Sequence, residues 1–179
     1  MNDLFKLLIF LFISTQSTFA QTISERTEAI LKVEKILYNE FYLGTKCYTK
    51  TDISFNENDK SFVIKNEMFL GKDQNIVSTR SFYRDDIDLN SMVYDLYPAE
   101  DGLYFVTVNL KAKDRLIEVS IVEINRKEFP LPVSTSDYQD LLVLSPSGKS
   151  LPLPIALRFV ENIKILFGVP SYNREKLYK

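Results

Sequence analysis

Between Tyr48 and Leu144 the chain is written in short runs of β-branched and aromatic residues, separated by clusters of turn-forming residues. A pattern of that kind admits a sheet of short antiparallel strands and little else. Asp52-Ile-Ser-Phe55 and Ser61-Phe-Val-Ile-Lys65 flank Asn56-Glu-Asn-Asp-Lys60, which suits a hairpin loop. The run from Ile76 to Arg84 predicts the next strand. Met92 to Pro98 and Leu103 to Leu110 follow, with Ala99-Glu-Asp-Gly102 as the turn between them. Tyr104, Val106, Val108 and Leu110 share one face by period-two alternation. Lys111 to Arg115 turns the chain into a further strand, Leu116 to Asn125. Pro130 and Pro132 confine the stretch after it to an edge strand or a loop. Asp140 to Ser145 reads equally as a last strand or as a loop that plugs the core.

Helical periodicity brackets these strands. Thr22-Ile-Ser-Glu25 has the form of a capping box, and Gly44 stands where a helix commonly ends, so the spacing predicts a helix over 22–43. Ile30, Val33, Leu37 and Phe41 form its core stripe, and Leu31, Tyr38 and Tyr42 form a second apolar shoulder beside it. A closing helix is expected from about Pro154 to Gly168, with Phe159 and Ile163 in the middle of a broad apolar arc. No repeat or linker divides the chain, so residues 21–179 are expected to form one α+β domain. Its parts are an N-terminal helix, a curved antiparallel sheet of about six strands, and a C-terminal amphipathic helix packed on that sheet.

The first 20 residues read differently. Leu7 to Ile13 is continuously apolar but too short for a bilayer, and Thr18-Phe-Ala20 offers the small residues a signal peptidase needs. Residues 1–20 are therefore expected to be a signal peptide, and the mature chain an exported one, periplasmic or extracellular, with no membrane span. Cys47 is the sole cysteine, so no disulfide forms within the chain; a small buried side chain is the expectation, an intermolecular bridge the alternative.

The absence of histidine narrows the chemistry most. It removes the Ser-His-Asp and Cys-His nucleophile systems and the histidine-based zinc sites. A formal net charge of −2 with no basic stripe argues against nucleic acid and anionic lipid as partners. Two stretches imitate known sites and fail on spacing. Counting a calcium loop from Asp86 puts Ser91 where glycine is required and Tyr97 where the bidentate glutamate belongs, so Asp86, Asp88 and Asn90 are read as a turn between strands. Gly148-Lys-Ser150 ends like a phosphate-binding loop, but Val143 occupies the place of its first glycine. No Ser-x-x-Lys nucleophile occurs, and Asp85 with Asp86, or Glu100 with Asp101, fall in turns. No catalytic residue, metal site or cofactor is assigned.

Asp86 to Leu110, a basic turn, a further strand and then Ile155 to Gly168 stand in an order that resembles small exported bacterial proteins with a pleckstrin-homology-like domain. The resemblance covers residues 82–168 and rests on an Asp-Ile-x-x-x-Ser turn and the closing amphipathic helix. It implies a curved antiparallel sheet whose open end the last helix covers, and it implies no activity.

The leading expectation is an exported, non-catalytic binding or scaffold domain of the bacterial cell envelope, with an envelope protein or a small apolar ligand as its partner. Leu31, Tyr38 and Tyr42 are the candidate binding residues; a covering loop from the 130–152 segment is the competing account of that shoulder. A carrier of a small apolar ligand and a histidine-free carboxylate hydrolase are the alternatives. An apolar cavity would point to the first, and paired buried carboxylates in a cleft to the second.

Overall fold

The computed structural model describes residues 23–71, 74–125 and 132–169. The expected signal peptide and much of the proline-rich stretch lie outside the described residues. Among the described residues two helices bracket ten strands, an α+β arrangement in two antiparallel sheets. Helix α1 runs over 23–37. The strands β1 (Asn39–Tyr42), β2 (Lys46–Asn56), β3 (Ser61–Phe69) and β4 (Gln74–Tyr83) follow. A 3-10 turn at Arg84–Asp86 leads to β5 (Ile87–Pro98), and a second at Glu100–Gly102 leads to β6 (Leu103–Ala112). Then come β7 (Ile117–Asn125), β8 (Val133–Gln139), β9 (Leu141–Leu144), β10 (Leu151–Pro152) and α2 (Leu153–Phe167).

The strands do not form one uninterrupted meander. The first sheet runs β1-β2-β3-β4-β7-β8, so β4 pairs directly with β7 and the β5–β6 hairpin leaves to build a second sheet. In that second sheet β6 is central, with β5 along one edge. The other edge is shared: β9 pairs with residues 108–111 and β10 with residues 103–104. The segment from 132 to 152 thus resolves into an edge strand of the first sheet and a split edge of the second. Edge strand β8 is almost wholly exposed and carries Ser, Thr and Asp, a composition that discourages pairing with another chain.

One apolar core joins every layer. Phe62 and Phe82 of the first sheet stack at 5.5 Å between ring centres, and Phe167 of α2 closes on Phe62 at 4.9 Å. Val106, Val108 and Leu110 enter from β6, and Val33 and Leu37 from α1. Helix α2 buries Ala156, Phe159, Val160, Ile163, Leu166 and Phe167, matching the expected arc. Its C-terminus is closed by Gly168 at φ 66° and by two arginines: Arg84 Nε donates to Phe167 O at 2.9 Å and Arg26 Nε to Leu166 O at 3.2 Å. Cations there satisfy carbonyls that the helix leaves unpaired and oppose its dipole. Cys47 is fully buried. Among the described residues no helix is long and apolar enough to cross a membrane.

Two expectations need correction. Helix α1 stops at residue 37, not 43: Asn39 to Tyr42 pair with Lys46 to Thr49 as β1, and Gly44 (φ 75°) belongs to the turn between those strands. Aromatic residues favour a pleated surface, and a ready partner in β2 outweighs further helix propagation. Phe41 consequently packs from a strand. The second correction concerns the acidic stretch. Only Arg84–Asp86 is a turn; Asp88, Asn90 and Ser91 lie inside β5, at a bulge where the register against β6 shifts between Asp88 and Val93. There Asn90 N donates to Asp88 Oδ1 at 3.0 Å, and Ser91 Oγ donates to Asp88 O and accepts Lys111 N. The acid and hydroxyl satisfy backbone groups as expected, but they shape a bulge.

Candidate functional site, a polar cavity at the end of the core

Alternation along β2, β3 and β4 sends every second side chain inward, and cross-strand register sets these in rows. Ile53, Ile64 and Arg80 belong to one row, with Val119 of β7 continuing it. Thr51, Asn66 and Ser78 form the next, and Thr49, Met68 and Ile76 the one after. The inner face therefore changes character along the strands. Toward α2 it is phenylalanine and isoleucine; away from α2 it turns to threonine, asparagine, serine and one arginine. The two sheets do not meet over the polar rows. A cavity of about 350 Å³ opens there, walled on its far side by Leu37 of α1 and by Val143, Leu144 and Ser145 of β9 and the loop after it.

Arg80 sets the electrostatics of this cavity. It lines the wall half-buried, and its Nη1 donates to Ser78 Oγ at 3.3 Å, while its Nε is buried with no acceptor. Among the described residues no carboxylate pairs with it. Burial alone lowers its pKa, but a guanidinium keeps its proton in any protein environment, so a full positive charge stands at the cavity wall. Thr49 Oγ1 is likewise buried without a partner, whereas Thr51 Oγ1 donates to Asn66 Oδ1 at 2.9 Å. Glu67 is the acid among the described lining residues. Its carboxylate accepts Tyr48 OH and Asn75 Nδ2, both at 3.1 Å, residues that alternate to the outer face. Lys50 at the rim is tied to Asp52 at 2.7 Å.

The three sequence candidates fall elsewhere, and all are exposed: Leu31 61%, Tyr38 39% and Tyr42 76%. Because α1 ends at 37, they do not share a helical shoulder. Leu31 stays on α1, Tyr38 follows the helix end, and Tyr42 is in β1. Tyr38 stacks on Tyr48 (6.4 Å) and Tyr48 on Phe69 (5.2 Å), an aromatic row on the outer face of the first sheet. Its hydroxyl donates to Glu40, which also pairs with Lys46; the bond to Glu40 and burial raise the Tyr38 pKa. The loop after β9 reaches the backbone of this region, Lys149 Nζ donating to Tyr38 O, and Asn39 Nδ2 donates to Ser147 O, both at 3.2 Å.

Sequence reasoning missed Arg80, Thr49, Asn66 and Ser78. One signal was present: Arg80 alternates with Ile76 and Phe82, which puts a charge on the apolar face of its strand. Among the described residues no cluster of three or more acids or cysteines assembles that would hold a metal. Comparison with family models, with curated proteins and with solved structures finds no match to this chain.

Proposed function

We propose that this protein is an exported, non-catalytic binding module of the cell envelope that holds a small ligand in the cavity between its sheets. The observation that carries the proposal is the Arg80 guanidinium on the cavity wall, a cation with no carboxylate partner among the described residues, beside Thr49; Arg80 Nε and Thr49 Oγ1 are buried with no hydrogen-bond partner. Buried polar groups are almost always paired, because each one left unmet costs about 1–3 kcal/mol. Both of these belong to residues that line one cavity, and Arg80 brings to it a cation that no described carboxylate compensates, which supports a site that a ligand completes. Export rests on the leader pattern of residues 1–20. The carrier alternative, with a wholly apolar ligand, suits Leu37, Met68 and Ile76 but leaves Arg80 without purpose. For the hydrolase alternative the described lining residues offer Glu67 alone as an acid, already bound on the outer side.

A second reading has an observation of its own. The exposed Tyr42 and the row Tyr38–Tyr48–Phe69 present aromatic surface to a protein partner on the outer face.

A fragment screen by two-dimensional amide NMR separates the two. Ligand binding in the cavity should move the resonances of Thr49, Thr51, Asn66, Ser78 and Arg80 together. Fragments that move only residues 38–48 would transfer the function to the outer face.

A further inference from the structure

Resting on that cavity reading, we infer that its ligand is a small monocarboxylate with a compact apolar body, its carboxylate held by the Arg80 guanidinium. The charge of the site decides the head group. Nη1 of Arg80 already donates one proton to Ser78 and Nε is enclosed by protein, so a carboxylate entering the cavity meets the guanidinium at its terminal nitrogens, a planar pair of donors. Among the described residues one unpaired cation lines the cavity, and the other charges of the lining have partners: Lys50 has Asp52, and Glu67 has Tyr48 and Asn75. Glu123, the next acid on this face, stands opposite Ile76 on β7. It is four residues along from Val119, the partner of Arg80, which is about 13 Å at the strand rise. A single negative charge is therefore matched. A second, as on a phosphate monoester, would lose water on entering without gaining a counter-ion, and that is costly. Neutral lining residues, Thr51, Asn66, Ser78 and Ser145, complete the polar end.

The walls decide the rest of the molecule. Leu37, Met68, Ile76 and Leu144 form an apolar side opposite and beyond the hydroxyls. A volume of about 350 Å³ holds about a dozen units the size of a water molecule, so the part of the ligand inside it has about that many non-hydrogen atoms. A short branched acid or a one-ring aryl acid fits.

The test uses the folded chain and three probes that share one body: phenylacetate, phenylacetamide and phenyl phosphate. Isothermal titration at neutral pH gives their relative affinities, and amide NMR gives the place of binding. Phenylacetate should bind at least tenfold more tightly than the neutral amide, and more tightly than the phosphate, with shifts at Thr49, Ser78 and Arg80. In Arg80→Gln the acid and the amide should bind alike; Arg80→Lys, which keeps charge but loses the fork, should recover only part of the preference. Equal binding of acid and amide by the unaltered protein overturns the inference, as does a preference for the phosphate. Neither result depends on a variant folding. If other fragments enter the cavity while no carboxylate does, the ligand class is wrong and the cavity reading stands. If nothing enters it, both fall.

Discussion

Replacing Arg80 by methionine should make the unliganded protein more stable. Arg80 spends a charge in a half-buried position, its Nε meets no acceptor, and its hydrogen bond to Ser78 is long at 3.3 Å. An unmet buried donor costs about 1–3 kcal/mol, and a long hydrogen bond returns less than about 1 kcal/mol. Solvent reaches part of the guanidinium and screens the penalty, so the lower end of the range applies. Methionine keeps the unbranched apolar stem against Ile64 and Val119, the neighbours set by register, and carries no donor to satisfy. The expected gain is about 1 kcal/mol, or about 2–4 °C in Tm for a chain of this size. Urea unfolding followed by circular dichroism should show a higher midpoint with an unchanged slope. Arg158→Met, on the exposed side of α2, serves as the control and should be neutral. A loss of more than about 1 kcal/mol in Arg80→Met would mean that the fold itself satisfies this cation. The ground for a ligand would then be gone.

Three further outcomes are expected. Phe159 is fully buried at the centre of the α2 arc, so Phe159→Ala should cost about 3–5 kcal/mol while Arg158→Ala stays within about 0.5 kcal/mol, both read from urea midpoints. Gly168→Ala should cost about 1–2 kcal/mol from the left-handed backbone alone, and more while Arg84 is present, because the added Cβ would stand 2.9 Å from Arg84 Nη2. Chemical denaturation of Gly168→Ala with and without Arg84→Ala separates the two contributions; strictly additive losses would deny the contact. The Tyr38→Ala/Tyr42→Ala double variant should lose no more than about 1 kcal/mol, since Tyr42 is exposed and Tyr38 gives up one stack on Tyr48. A fall of several kcal/mol in its thermal melt would make these rings part of the core.

Particular elements show where sequence reading succeeds. The Asn56–Lys60 turn, the alternation of Tyr104 to Leu110 and the arc of Phe159 and Ile163 each depend on neighbours within a few residues, and each is found as expected. Helix α1 fails at its end for the opposite reason. Nothing within residues 38–43 says that β2 will offer a free edge, and Phe41 and Tyr42 fit a helical stripe as well as a strand. The partner settled the matter. The bulge at Asp88–Val93 is a similar case: acids and amides that would cap a turn also cap a bulge, and only the register against β6 distinguishes them.

By itself, then, the sequence determined the class of fold, the two amphipathic helices, the strand segments and the absence of imidazole chemistry. These follow from side-chain period and composition, which are local properties. The tertiary structure decided which strands pair, and so that β5 and β6 leave the first sheet and that β9 and β10 split one edge of the second. From that pairing came the cavity. Thr49, Asn66, Ser78 and Arg80 are separated in sequence by up to 31 residues and carry no common motif; they become neighbours only because β2, β3 and β4 stand in register with their inner rows aligned. A charge on the apolar face of one strand was legible. That it would find no partner depended on every other strand.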